Sequence, residues 1–254
     1  MPRVKIRTFS GVVCEQEIFT VSDRVRDVKK APERLRFKDE KERAEHRLGI
    51  SRRNHARLFN ENFSPRSFNS TLTFNNAHEV HTFDEARYIS DLYVRRLKYK
   101  FPDAVIFVYM GRGKSTSRIH FHVVSDGVPK EYIEKQWLYG EVIRIESLRE
   151  HNWYVNEESG EIVDYGQDYT GLANYLFDHW TPEQGGHRWK QTRNARRPDR
   201  EKPTVIKRRY SKNKPPSTPK GYKLVETQIT EYGYMRFKYI KIPSPIKRKK
   251  SNSS

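Results

Sequence analysis

Arg118-Ile119-His120-Phe121-His122-Val123-Val124 is the stretch that decides how this chain is read. Alternate side chains of a β-strand point to opposite faces, so His120 and His122 share one face while Ile119, Phe121 and Val123 share the other. The apolar set marks a core-facing side and implies a half-buried strand. The two imidazoles then have Cβ atoms roughly 6.5–7 Å apart. Rings leaning together from that spacing can hold one metal ion at about 2.0–2.1 Å. Such pairs also occur in surface strands, without a metal. In a half-buried strand, however, two polar rings need partners, and a metal with hydrogen-bonded outer groups supplies them.

Working outward, Ala104–Met110 is a continuous apolar strand joined to the histidine strand by the basic, glycine-containing loop Gly111–Ser117, an antiparallel hairpin. Before it, Thr82-Phe83-Asp84-Glu85 has the form of a capping box that opens a helix through about Tyr99. Ala86, Ile89, Tyr93 and Leu97 form the buried stripe of that helix, and Pro102 stops it. Phe68-Asn69-Ser70-Thr71-Leu72-Thr73-Phe74 alternates with period two and reads as a strand. Downstream, Lys130–Trp137 reads as a short helix, Glu141–Ile145 as a strand, 150–167 as an exposed loop and Asp168–Trp180 as a helix ended by Pro182. The order β-α-β-β-α-β-α predicts an α+β fold: an antiparallel sheet with a βαββαβ core and helices packed on one face.

The flanks are simpler. Val4–Phe9 and Val12–Thr20 read as strands, 23–60 as a highly charged helical extension, and Tyr222–Ile242 as a strand pair turning near Gly233. Residues 187–214 are dense in Lys and Arg against Asp199 and Glu201, and with Pro198 and Pro203 they read as an extended basic arm.

Composition points to a polyanionic partner. Lys plus Arg number 50 against 32 acids, a formal charge of +18, which favours nucleic acid. Tyr (15) and Phe (13) are plentiful, and aromatic residues interleaved with basic ones suit single strands, whose bases stack. A basic protein with an ordinary aromatic core is the plainer alternative. Cys14 is the only cysteine, which excludes an intrachain disulfide and a cysteine-rich zinc finger. No apolar run reaches about 18 residues and no signal-peptide core is evident, so the expectation is a soluble, cytoplasmic protein with no membrane partner.

The helix around Tyr175 carries the second constellation. Leu172, Leu176 and Trp180 form one stripe, expected in the core, while Gly171, Tyr175, Asp178 and His179 lie on another face. A tyrosine with an acid at i+3 and a histidine at i+4 suits an activated nucleophile, since a phenol needs help to ionise near neutral pH. The competing reading makes Tyr175 an ordinary residue at the core edge.

Together these elements resemble the HUH endonucleases, specifically rolling-circle replication initiators of phages and plasmids. Phe68–Phe74 looks like the family's first motif, His120-Phe121-His122 like its histidine–hydrophobe–histidine motif, and Tyr175-Leu176-Phe177-Asp178 stands where its Tyr-x-x-Lys motif is expected. The resemblance covers about residues 63–195. It implies a ferredoxin- or RRM-like palm and a divalent cation, Mg²⁺ or Mn²⁺, on His120 and His122. It also implies single-strand nicking and rejoining by Tyr175 through a 5′-phosphotyrosyl link, with single-stranded DNA or an origin hairpin as substrate. A bacterial host would supply helicase and polymerase, because the chain has no Gly-x-x-x-x-Gly-Lys-Ser/Thr loop.

Two positions depart from the pattern. Met110 stands where the family often has a third ligand, and a thioether is a poor ligand for a hard cation. Asp178 replaces the family's lysine and is a candidate ligand in compensation. His179 is a candidate proton acceptor, and Tyr169 is the rival nucleophile to the preferred Tyr175. Arg112, Lys114 and Arg118, with Arg188, Lys190, Arg193, Arg196 and Arg197 of the arm, are the expected phosphate contacts. The implied organisation is an N-terminal region at 1–62, a catalytic domain at 63–186, a basic arm at 187–219, a strand pair at 220–242 and a disordered basic tail at 243–254. A non-catalytic nucleic-acid-binding protein, or a metal-dependent nuclease without a covalent intermediate, are the alternatives.

Overall fold

The computed structural model describes residues 2–21, 39–113, 118–155, 160–230 and 233–242. Its elements in order are β1 (Arg3–Ser10), β2 (Val13–Thr20), α1 (Glu40–Asn62), β3 (Phe68–Thr73), α2 (Phe83–Lys100), β4 (Val105–Arg112), β5 (Ile119–Asp126), α3 (Lys130–Gln136), β6 (Val142–Ser147), β7 (Trp153–Val155), β8 (Ile162–Asp164), α4 (Thr170–Phe177), β9 (Lys190–Gln191), β10 (Asp199–Arg200), β11 (Thr204–Ile206), β12 (Tyr222–Ile229) and β13 (Met235–Lys241). The chain forms two compact units, Met1–Arg34 with Arg200–Ser254, and Leu35–Asp199. The expected tail at 243–254 and much of the charged stretch before residue 39 lie outside the described residues.

In the first unit the strands pair in the order β10-β1-β2-β13-β12, with β11 also on β1. The β1 strand alternates buried and half-buried residues along its whole length, the mark of a strand with one core face. Cys14, Ile18, Phe237 and Tyr239 cluster on the opposite side of the sheet, level with Lys5 and Phe9 of β1. Burial pushes the Cys14 thiol up to about 12, so the lone cysteine is an inert core residue.

The second unit holds the histidine strand. Its sheet has the order β6-β3-β5-β4-β9, antiparallel throughout. Since β5 lies between β3 and β4, the connection through α2 is a split βαβ unit. The capping box opens α2 as the sequence predicts: Thr82 accepts from the Glu85 N–H, and the Glu85 carboxylate accepts from the Thr82 N–H. One face of the sheet, with Leu72, Ile106, Val108, Phe121 and Val123, packs on Ala86, Tyr93, Leu97 and Ile133 of α2 and α3.

The other face is covered too, which corrects the expectation of helices on one side only. Phe107, Tyr109 and Val124 pack beneath Ala56 and Phe59 of α1 and Ala173 and Leu176 of α4. The charged N-terminal extension is therefore not an appendage from residue 40 onward. Its last turns are core, and Asn60 of α1 anchors the start of α4 by accepting from the Tyr169 N–H at 2.8 Å and donating to Asp168 at 3.3 Å.

Two further expectations change. The basic segment after 187 is not a free arm: β9 extends the sheet edge by pairing with β4, and Trp189 packs on His55 and Phe177. In the first unit β11 pairs with β1. The segment 150–167 contains a two-stranded ribbon, β7 with β8, built from short apolar runs that its polar flanks mask in the sequence. No helix among the described residues is long and apolar enough to cross a membrane.

Candidate metal centre

His120 and His122 stand on β5 on the face covered by α4, as strand alternation requires. A third imidazole joins them. His179, two residues past the end of α4, lies so that one ring nitrogen from each of the three falls within 4.8 Å of the others. Its Nε2 is 3.0 Å from that of His122. The ring centroids are 4.4 Å apart for His122 and His179 and 5.2 Å for His120 and His122.

The surroundings orient these rings. The Nδ1 of His122 is 3.2 Å from the Thr71 hydroxyl on β3, the residue directly opposite it in the ladder. An Nδ1–H donating to that oxygen leaves the Nε2 lone pair facing the cluster. Burial, followed by the neighbouring His179 and His120, pulls His122 down to about 3. Burial chiefly also lowers His120, against a hydrogen bond with the Arg118 backbone. Both rings are therefore neutral near pH 7, the form that ligates metals.

Gly111 makes room for the third ring. It lies in β4 opposite His120, not in the connecting loop as the sequence suggests. A Cβ placed on it would sit 2.8 Å from Cδ2 of His179 and 3.4 Å from Cε1 of His120. Glycine is thus a packing requirement of the cluster. Met110 points to the other face and packs against the α2 side of the sheet, so it does not occupy a ligand position.

Tyr175 is on α4 with its side chain more than half exposed (55%). Its ring centroid is 4.7 Å from His179 and 6.0 Å from His122. Tyr169 is 2% exposed and donates its hydroxyl to the Arg149 carbonyl at 3.0 Å; burial raises its pKa. The rival tyrosine is a core residue away from solvent. The α4 helix is shorter than expected, ending at Phe177, and Trp180 is half-buried rather than core.

Asp178 stands outside the three-imidazole cluster, contrary to its expected role as a ligand. It caps the C-terminus of α4 and pairs with the Arg52 guanidinium of α1. Arg188 lies over the rings of Phe177 and Trp180, 4.7 and 4.3 Å from their centroids. Arg112 reaches the Glu183 carboxylate at 3.7 Å, and Arg118 reaches Glu79 at 3.2 Å and Asn76 at 2.7 Å. Lys114 lies outside the described residues. Lys190 pairs with Asp91 and Arg196 with Glu61, while Arg193 and Arg197 are exposed. The expected phosphate contacts are thus spread over the unit, and several already serve as ties within it.

His55 is the residue that sequence reasoning passed over. It is fully buried on α1, with Nε2 2.8 Å from the Tyr109 hydroxyl, and burial alone lowers it to about 3. Its position in a charged helix carries no periodic signal.

No family model, curated protein or solved structure matches the chain.

Proposed function

We propose that the Leu35–Asp199 unit nicks and rejoins single-stranded DNA as an HUH-type rolling-circle initiator. The observation that carries this reading is the meeting of an exposed tyrosine with three imidazoles whose nitrogens converge within 4.8 Å. The element order and the strand order β6-β3-β5-β4 support a ferredoxin-like palm. Thr71, from the strand resembling the first motif, supports it again by orienting His122.

The donor set fits a divalent cation. Three nitrogen donors suit Mn²⁺ or a later first-row ion better than Mg²⁺, which prefers oxygen. His120, His122 and His179 would hold it, and a bound cation supplies Lewis acidity toward a non-bridging phosphate oxygen. With its Nε2 committed there, His179 is a ligand rather than the proton acceptor for Tyr175. The Tyr175 phenol loses its proton to solvent as its oxygen forms a bond to phosphorus, the bond from phosphorus to the 3′ oxygen breaks, and that oxygen takes up a proton from solvent and leaves as a 3′-OH. The phosphotyrosyl link conserves the energy of the phosphodiester, so rejoining needs no nucleotide triphosphate. Strand separation and extension fall to host helicase and polymerase.

The test is a labelled pool of random-sequence single-stranded DNA incubated with the protein and Mn²⁺, then run on a denaturing gel. A covalent protein–DNA adduct is expected with the native chain and with Tyr169→Phe, and none with Tyr175→Phe. Cleavage without an adduct would replace the reading with a hydrolase. Binding with neither would leave a nucleic-acid-binding module.

A further inference from the structure

Trp153, Val155 and Ile162 are 61%, 63% and 69% exposed, and all three belong to the β7–β8 ribbon. Val155 lies directly opposite Ile162, and Trp153 opposite Asp164. Strand alternation therefore sets the three apolar side chains on one face of the ribbon. Apolar residues scattered singly over a surface need no explanation, but a contiguous apolar face turned to water marks an interaction site.

The ribbon holds that face still. The Trp153 ring stacks on His151, with centroids 5.8 Å apart and planes 21° apart. The Asp164 carboxylate fixes the His151 ring through Nδ1 at 2.8 Å and accepts from the Gly166 N–H at 2.6 Å. At the base of the ribbon the Asn152 N–H donates to the Gly166 carbonyl at 3.0 Å, and the Tyr165 N–H to the Asn152 carbonyl at 2.9 Å. Leu148, just before it, is part of the core that α1 and α4 share with the sheet. An aromatic ring whose plane is set before contact loses little freedom on binding.

Charge selects the occupant. The stretch Glu150–Asp164 carries five acids, Glu150, Glu157, Glu158, Glu161 and Asp164, and no lysine or arginine, in a chain with 50 of them among 254 residues. Glu157 and Glu158 lie outside the described residues. An exposed tryptophan suits the bases of a single strand, but here the phosphates of that strand would meet carboxylates. Two copies joined symmetrically through this face would likewise set acids against acids. A surface of opposite charge is what fits.

We propose that the outer face of the β7–β8 ribbon docks a protein partner offering an apolar pocket rimmed by lysine and arginine, with Trp153 as the anchor. Tryptophan is enriched among the few residues that carry most of an interface's binding energy, and charges at the rim steer the approach. This docking does not depend on the chemistry at the imidazoles, so the adduct assay and the experiment below fail separately.

The experiment pans a phage-displayed library of random 12-residue peptides on the full chain and sequences those retained. The expected peptides place lysine or arginine around an aromatic or aliphatic residue, and their binding weakens as salt is raised. Trp153→Ala should weaken them about thirtyfold, and the double variant Glu150→Gln, Glu161→Gln should weaken them to a smaller extent. Trp153 is exposed, so its loss leaves the fold intact, which circular dichroism checks. Three results overturn the proposal. One is a selection with no peptide that depends on Trp153, or with dependent peptides that lack basic residues. Another is weaker binding of an oligothymidine by Trp153→Ala, which would make the ribbon a base-stacking platform. The third is self-association in sedimentation that Trp153→Ala abolishes, which would make the occupant a second copy.

Discussion

Gly111→Ala should disable the three-imidazole cluster as a metal site without replacing any of its rings. The added methyl would lie 2.8 Å from Cδ2 of His179, and contacts become ordinary only beyond 3.4 Å. The ring must therefore retreat by about 0.6 Å, roughly three times the tolerance of about 0.2 Å for a metal–nitrogen bond. The His179 carbonyl also lies 3.4 Å from the new methyl, so the backbone behind the ring offers little relief. Because the cluster has three imidazoles, moving one out of reach should weaken Mn²⁺ binding at least as much as disturbing an outer partner, about 10- to 100-fold. Titration calorimetry with Mn²⁺ measures this directly. A double-mutant cycle makes it specific: with His179→Ala already present the methyl meets no ring, and Gly111→Ala should then change affinity little. Affinity within a few-fold of native for the single variant, or equal losses in both backgrounds, would refute the reasoning.

The remaining expectations concern the partners of the rings. Thr71→Val keeps the shape of the side chain but removes the oxygen 3.2 Å from His122 Nδ1; Mn²⁺ affinity should fall about 10-fold or more, and unchanged binding in calorimetry would show that the hydroxyl does not orient the ring. His55 predicts a pH dependence of stability. Its folded value, about 3, lies below its ordinary 6.5, so its contribution is fully present above 6.5 and is lost as pH falls from there toward 3, a few kcal/mol in all. Since His120 and His122 are lowered as well, the observable is the difference between native protein and His55→Leu in urea unfolding between pH 4 and 7. The variant should lose stability less steeply on acidification, and parallel curves would contradict the assignment.

The strand pattern of this chain was open to reading because each β-strand repeats its exposure every two residues. Ile119, Phe121 and Val123 declare the core side of β5, which leaves His120 and His122 together on the other. The capping box at Thr82–Glu85, the stripe on α2 and the antiparallel order of the central strands follow from equally local rules. Tyr175 was accessible for the same reason, through its face of a short helix. What escaped were relations between segments distant in sequence. The charged α1 shows few apolar residues, so that its last turns roof the histidine face is seen only when Phe59 meets Phe107. Local spacing put Asp178 and His179 on one face and made Asp178 the candidate ligand and His179 the candidate proton acceptor. Packing separated them: Arg52 of α1 takes the carboxylate, while the turn after α4 carries His179 into the gap that Gly111 leaves on β4. A periodic pattern records which side of an element meets the core; which partner arrives there is settled by the assembled chain, since long-range contacts leave no period in the sequence.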